Sequence, residues 1–158
     1  VRPDENNLIV YELLIRDYLD AHDYQTLTDT LDYLESLGIN AIELMPVNEF
    51  EGNVSWGYNP DYYFAPDKYY GPKQDYQSFI NECHERGIAV IMDIALNHSF
   101  GLSPQVMMYF DPSAGPYGEP TADNPWFNQT PKHDFNVGFD YNHESVYTKK
   151  FVDSVFVH

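Results

Sequence analysis

A structural unit that occurs twice constrains the fold of this chain more than any other feature. Residues 24–37 have helical spacing and lead through Gly38 into the apolar run 39–47. A second helical stretch leads through Gly87 into the apolar run 88–96. Glycine commonly ends a helix because it adopts the left-handed conformation without steric cost, and runs that are apolar on both faces are typical of strands in parallel sheets. The repeat therefore predicts βα units of an α/β fold.

The residues around these units support the prediction. Four leucines share one face of the first helix by their spacing of three or four residues: Leu27, Leu31, Leu34 and Leu37. The second helix is expected to begin at Asp75, which can act as its N-cap. Another apolar run, residues 8–15, is interrupted only by Glu12 and precedes the first helix. We therefore expect three parallel strands.

Composition excludes several classes of protein. The 158 residues suit a single domain spanning 1–158, and Cys83 is the only cysteine, so no intrachain disulfide can form. Aspartate and glutamate outnumber lysine and arginine 25 to 8, which gives a net charge of −17. A surface this acidic repels phosphate backbones and anionic lipid, so we expect neither nucleic acid nor membrane as a partner. No apolar run approaches the ~20 residues that span a bilayer.

The polar segment 1–7 is interpreted as a flexible start. It lacks the basic and then apolar layout of a signal peptide. Localisation therefore stays open between a cytoplasmic protein and an exported protein whose leader has been removed.

Two long segments, 48–74 and 99–143, follow predicted strands and are rich in proline, glycine, asparagine and aromatic residues. Loops of this length are usually functional or disordered, and α/β folds bind ligands at the carboxyl ends of their strands. The first segment has seven aromatic residues within 56–70: Trp56, Tyr58, Tyr62, Tyr63, Phe64, Tyr69 and Tyr70. Flat rings beside polar groups suit sugars. The alternative is a loop that packs on its own rings.

Three polar residues lie near the end of the third apolar run: Asp93, Asn97 and His98. Strand alternation would place Asp93 and Asn97 on one face, with His98 at the exit. A carboxylate in such a run is costly to bury without a partner, so Asp93 should meet a cation or several hydrogen-bond donors. A structural role, with Asp93 anchoring a loop, is the alternative.

The motif Asp93-x-x-x-Asn97-His98 at a strand end resembles the first signature region of the α-amylase superfamily of glycoside hydrolases. The loop from Trp56 to Pro60 resembles branching-enzyme-like and pullulanase-like members in particular. Further matching segments occur in the right order: 38–46, 63–66, 70–71 and 83–88. The resemblance covers residues 8–98 well and continues less specifically to about residue 150.

The resemblance implies the N-terminal portion of a retaining, α-glucan-active hydrolase or transglycosylase. The expected fold is a partial (β/α)8 barrel with its first three βα units and long loops after strands 2 and 3. In this family the nucleophilic aspartate and the acid glutamate lie on the fourth and fifth strands. A whole barrel needs about 250 residues. We therefore expect no catalytic residue in this chain, and no activity from the isolated chain on starch or other glucans.

The resemblance also implies roles for individual residues. Tyr58 would stack on the sugar at the cleaved position, and His98 would hydrogen-bond the hydroxyls of that sugar. Asp93 would hold the electrostatic network of the site, and Trp56 belongs to the same substrate-binding loop. A structural calcium ion is a further possibility, with Asn97 as one ligand and Asp140 as another. No cofactor is expected for the chemistry itself.

Two other functions are open alternatives. One is a non-catalytic carbohydrate-binding module that uses the aromatic loop 56–70. The other is a metal hydrolase built on Asp93 and His98 with His133 or His143, although no ligand-pair spacing supports it. Three further acids in the long segment 48–74 are interpreted as solvated: Glu49, Glu51 and Asp61. The two outer strands, 8–15 and 88–96, would leave open sheet edges, so we expect either self-association or a sticky, marginally stable monomer.

Overall fold

The computed structural model describes residues 3–132, 134 and 137–158. The strands are β1 Val10–Leu13, β2 Ala41–Leu44, β3 Asn48–Phe50, β4 Pro60–Pro66, β5 Ala89–Met92, β6 His98–Ser99, β7 Phe110–Asp111, β8 Glu119–Pro120 and β9 Phe139–Asp140. The α-helices are α1 Ile15–Tyr18, α2 Tyr24–Thr28, α3 Leu31–Ser36, α4 Lys73–Glu85, α5 Pro104–Met107 and α6 Val146–Val157. Among the described residues, no helix has the length and apolar character needed to cross a bilayer.

The three predicted strands form one parallel sheet in the order β1-β2-β5. Each strand is only four residues long, and Glu12 pairs with Glu43 in the ladder between β1 and β2. The run 88–96 was predicted to be strand throughout, but β5 ends at Met92. Asp93 is thus the first residue beyond the sheet, and strand alternation does not extend to Asn97. The backbone N–H of Asp93 still donates to Leu44 O at 2.9 Å, which holds this exit beside β2.

Helices α2, α3 and α4 cover one face of the sheet and form the main core with it. Leu34, Ile42 and Leu44 have no exposed surface in this cluster. Gly38 and Gly87 have φ values of 76° and 75°, which confirms that each preceding helix ends at a left-handed glycine.

Two predicted helix details are wrong. The single helix over 24–37 is divided into α2 and α3. Thr28 Oγ1 donates to Tyr24 O, and Thr30 Oγ1 donates to Leu27 O, each at 2.7 Å. Threonine hydroxyls that bond local carbonyls compete with the helical ladder and bend helices. Asp75 does not cap α4, because the helix already begins at Lys73 and Asp75 lies in its first turn.

The long segments contain regular structure that lacks a clear sequence period. Strands β3 and β4 form an antiparallel hairpin within 48–74. Strand β7 pairs with β8 within 99–143, and β6, which begins one residue before that segment, pairs with β9. A second buried cluster lies under these loops: Tyr63, Val106, Phe127 and Tyr141. In the segment 1–7, Glu5–Asn7 form a 3-10 helix capped by Asp4, and Val1 and Arg2 lie outside the described residues.

Candidate functional site

The centre of the candidate site is a contact between the aromatic loop and the end of β5. Tyr58 Oη donates to Asp93 Oδ2 at 2.5 Å, across 35 positions of sequence. The Tyr58 ring remains 38% exposed, and Asp93 is partly exposed. A partly exposed ring therefore lies next to a carboxylate at the carboxyl end of the parallel sheet, where α/β folds place their binding sites.

Gly57 makes this contact possible. Its φ is +90°, and a Cβ at this position would lie 2.2 Å from the carbonyl oxygen of Pro46. Only a residue without a side chain can pass so close to the exit of β2 with this backbone conformation. The short segment from Trp56 to Tyr58 is thereby pressed against the end of the sheet.

The buried side chain of His98 holds the backbone of the same loop. The side chain is only 4% exposed, and Nε2 donates to the carbonyl oxygen of Tyr58 at 2.7 Å. Nδ1 lies 2.9 Å from Oδ1 of Asn97. Both ring nitrogens therefore have protein partners. To hydrogen-bond a sugar hydroxyl directly, His98 would have to give up one of these two partners.

Trp56 lies at the exposed rim of the site. The side chain is 59% exposed and borders an open concavity of about 350 Å³, together with Arg16 and Tyr58. Ser55 Oγ donates to Asn59 Oδ1, and the backbone N–H of Gly57 donates to Ser55 Oγ at 2.9 Å. These bonds fix the turn that presents the two rings. Arg16 was missed by the sequence analysis because it follows a predicted strand and carries no motif.

Acidic groups dominate the electrostatics around Tyr58. The hydrogen bond to Asp93, assisted by burial and by the charges of Glu12 and Glu43, raises the pKa of Tyr58 to about 12. The hydroxyl is therefore a permanent donor to Asp93 at physiological pH. A neutral ligand rich in hydroxyls suits this environment, because anions would be repelled.

The three acids of the segment 48–74 differ from one another in their surroundings. Glu51 is exposed as expected, and Glu49 forms an ion pair with Lys68. Asp61 is not solvated as predicted, because it is only 1% exposed in strand β4. Its Oδ1 accepts from the backbone N–H of Leu102 at 2.9 Å. Burial, assisted by the charge of Glu51, raises the pKa of Asp61 to about 6.

The residues predicted as calcium ligands do not present a calcium-type oxygen set. Asp140 pairs with His98 in the β6–β9 ladder, and its Oδ2 accepts from Asn128 Nδ2 at 2.7 Å and from the backbone N–H of Lys132 at 3.3 Å. Oδ1 of Asn97 faces His98. Calcium takes six to eight oxygens. Calcium binding at these residues stays a prediction.

The metal-hydrolase alternative has no support within the described part of the chain. No group of three histidine, cysteine, aspartate or glutamate side chains converges there as a metal site. His143 instead bonds the carbonyl of Leu96 through Nε2 at 2.8 Å, and His133 lies outside the described residues.

Comparison with known sequences extends the resemblance beyond the motifs. Residues 15–155 match the family described as the catalytic domain of alpha-amylase. The chain is 33% identical over 126 residues to a malto-oligosyltrehalose trehalohydrolase from Saccharolobus solfataricus, covering 80% of this chain and 22% of that protein. It is 37% identical over 99 residues to a 1,4-alpha-glucan branching enzyme from Picrophilus torridus, covering 60% of this chain and 14% of that protein. The chain thus spans about a fifth or less of these relatives.

Solved structures lead to the same family. A maltogenic α-amylase from Thermotoga neapolitana superimposes with a TM-score of 0.76 at 25% identity, covering 97% of this chain and 36% of that one. An α-amylase from Lactobacillus plantarum, at 22% identity, shares the fold with a TM-score of 0.75 over 95% of this chain and 34% of that one. The family match over residues 15–155 decides the assignment, and the chain belongs to the α-amylase catalytic-domain family of glycoside hydrolases.

Proposed function

We propose that this chain supplies the first three strands of a (β/α)8 barrel in an α-glucan-active hydrolase or transglycosylase. The order β1-β2-β5 of parallel strands supports this, as do long loops at their carboxyl ends. Relatives named as a trehalohydrolase, a branching enzyme and an α-amylase make an α-glucan the best-supported substrate class. Family membership disfavours the alternative of a self-standing binding module.

The observation that carries the site proposal is the 2.5 Å contact between Tyr58 and Asp93. In this proposal the Tyr58 ring stacks on the C–H face of a glucose unit, and the carboxylate of Asp93 accepts one of its hydroxyls. Trp56 adds a second exposed ring at the rim. His98 acts as a positioning residue, because it holds the backbone carbonyl of Tyr58.

A titration tests this binding site directly. In a Trp126→Phe background, Trp56 is the remaining tryptophan, so its fluorescence reports the site. We expect maltotriose to change this fluorescence, and Tyr58→Ala to weaken the apparent affinity about fivefold through loss of a stacking face. Tyr33→Ala is the matched control, since Tyr33 is 58% exposed on α3. Equal effects of the two substitutions would contradict the proposed site.

Turnover is the second part of the proposal. Retaining hydrolysis needs two carboxyl groups about 5 Å apart, one as nucleophile and one as acid. By family resemblance both would lie on strands that follow the three described here, so we propose that this chain alone releases no reducing sugar from starch, pullulan or maltooligosaccharides. Release that persists after removal of contaminating amylase would overturn this part of the proposal.

Self-association is the third part. Strands β1 and β5 form the two edges of the sheet, and Val10 and Met92 on them are each 40% exposed. Unpaired strand edges recruit other chains, while salt screens the charge of −17 beyond about 8–10 Å. We expect a dimer or larger species by sedimentation equilibrium at micromolar concentration. A monodisperse monomer that melts cooperatively would contradict this.

Calcium has a separate test. A melting temperature raised by 1 mM CaCl₂, with the increase lost in both Asn97→Ala and Asp140→Asn, would support the predicted ligands. An unchanged melting temperature would rule out a stabilising ion at these residues.

A further inference from the structure

A small cavity lies between strand β4 and the helices α5 and α6. Its volume is about 180 Å³, below the range of about 300–1,000 Å³ that is typical of small-molecule sites. A water molecule takes about 30 Å³, so this space suits an ion with a few waters. We call it the β4 cavity, and its lining side chains include Asp61, Tyr62, Tyr63, Phe64, Gln105 and Phe151.

Asp61 contributes a carboxylate that is only half satisfied. The residue is 1% exposed, and its Oδ1 accepts from the backbone N–H of Leu102 at 2.9 Å. Its Oδ2 is buried and has no hydrogen-bond partner among the described residues. An ionised carboxylate is costly to bury when an oxygen is left unsatisfied. A positive charge in the adjoining cavity would offset this cost.

The charged groups around Asp61 do not supply that positive charge. Burial, assisted by the charges of Glu51 and Glu49, raises the pKa of Asp61 to about 6, although two backbone N–H groups act in the opposite direction. Lys68 also acts on Asp61, but its ammonium group is paired with Glu49. Tyr63 stays a neutral phenol, because burial raises its pKa. Above pH 6 a mostly ionised carboxylate therefore lies in negative surroundings.

The rest of the cavity wall favours a cation. Phe151 packs edge to face with Tyr63 and with Phe64, with ring centroids 5.5 and 5.7 Å apart. The faces of such rings attract positive charge. Gln105 adds a neutral oxygen to the wall, since its Oε1 accepts from Ser103 Oγ at 3.0 Å and has capacity for a second partner.

We propose that the β4 cavity binds a small monovalent cation that neutralises the carboxylate of Asp61. One carboxylate balances one positive charge, whereas calcium takes six to eight oxygens. In the described part of the chain, no three histidine, cysteine, aspartate or glutamate side chains converge as a metal site. The proposal does not depend on sugar binding, and neither Asn97 nor Asp140 lines this cavity. A bound ion would tie β4, which continues the loop of Tyr58, to α5 and α6.

Thermal unfolding in different salts tests the proposal. The probes are NaCl and KCl at 100 mM and pH 8, with tetramethylammonium chloride as the reference at the same ionic strength. If the Kd is about 10 mM, we expect Na⁺ or K⁺ to raise the melting temperature by about 3–5 °C above the reference. At pH 5, where Asp61 is mostly protonated, this increase should disappear.

Three variants separate a specific site from general screening of charge. Asp61→Asn should lose the increase at pH 8. Gln105→Met keeps the length of the side chain without its oxygen and should weaken the apparent cation affinity about fivefold. Glu51→Gln is the matched control, because it removes an exposed charge near Asp61 but leaves the cavity wall intact. It should retain the increase.

Several outcomes would overturn the β4 cavity as a cation site. They are equal melting temperatures in all three salts, an increase that persists in Asp61→Asn or at pH 5, and an increase lost equally in Glu51→Gln. A larger increase with CaCl₂ at the same ionic strength, lost in Asp61→Asn, would replace the monovalent ion by a divalent one. None of these results bears on maltotriose binding at Tyr58, so the proposed function is tested separately.

Discussion

The two buried clusters of this chain are held together in different ways. Under the helices, aliphatic side chains such as Leu34 and Leu44 are fully buried and need only fill volume. Under the long loops, aromatic residues add directional bonds to their packing. Tyr63 Oη lies 2.8 Å from Ala95 O and 2.6 Å from His98 O, so its single proton is available to either carbonyl. The first cluster stabilises the sheet, whereas the second also sets the path of the chain from Asp93 to His98.

This difference explains where ligand-binding groups can be exposed. The aliphatic side chains of the first cluster carry no polar group that could bind a ligand. Hydrogen bonds in the second cluster fix the loop backbone from below, and the exposed rings of Trp56 and Tyr58 can face outward without holding the fold together. We therefore expect substitutions in the first cluster to change stability, and substitutions of exposed rings to change binding.

The largest effect is expected from Leu44→Ala in the helix-covered cluster. Leu44 has no exposed surface, and removal of a fully buried leucine side chain lowers the free energy of unfolding by about 3 kcal/mol. Urea unfolding measures this. Leu37→Ala is the control, since Leu37 is 46% exposed and should cost less than about 0.5 kcal/mol. Similar losses in both would mean that the core is not packed as described.

The second-largest effect is expected from Gly57→Ala, because Gly57 packs the loop that carries Tyr58 against Pro46 at the end of β2. The added Cβ would meet Pro46 O at 2.2 Å, and the backbone is in a left-handed conformation. We expect a loss of about 2 kcal/mol in the free energy of unfolding and a changed Trp56 fluorescence. Gly52→Ala is the control that separates backbone strain from the steric clash with Pro46. Gly52 has a similar φ of +81°, but no heavy atom lies within 4 Å of the added Cβ. A larger loss at Gly52 would refute the collision.

Asp61→Asn should stabilise the protein at neutral pH by on the order of 1–2 kcal/mol, since a buried carboxylate no longer has to ionise. The pKa of Asp61 is raised to about 6, so between about pH 4 and 6 the folded chain holds a proton that the unfolded chain has lost. Unfolding then releases a proton, and stability falls as pH rises through this window.

Urea unfolding at a series of pH values checks this prediction. We expect the free energy of unfolding to fall less between pH 4 and 6 in Asp61→Asn than in the wild type. Burial also raises the pKa of Asp67, so a residual decline should remain in both proteins. Identical slopes for wild type and Asp61→Asn would contradict the raised pKa.

The smallest effect is expected from Tyr63→Phe, which removes the hydroxyl that lies within hydrogen-bond distance of two carbonyl oxygens and keeps the ring. We expect a loss of about 1 kcal/mol in the free energy of unfolding, together with weaker maltotriose binding, because the chain around His98 is released. Tyr62→Phe is the matched control on the same strand, where Tyr62 is 41% exposed. Unchanged sugar binding in Tyr63→Phe would show that this cluster does not position the site.

Much of the fold could be predicted because its signals are local. The glycine stops at Gly38 and Gly87, the three apolar runs and the acidic composition are all readable from neighbouring residues. The break between α2 and α3 was missed because the hydroxyls of Thr28 and Thr30 can serve either a helix or a bend. The short ladders within 99–143 were missed because strands of two residues have no detectable period.

The sequence by itself determined the family and the parallel strands and predicted the candidate site residues, because hydrophobic period, glycine and motif spacing act over a few positions. Only the tertiary structure decided that Tyr58 meets Asp93, that His98 is turned to the backbone of Tyr58, and that Asp61 is buried. These contacts join residues about 35 to 41 positions apart. Their geometry depends on where whole loops pack, and no local pattern encodes the energy of that packing.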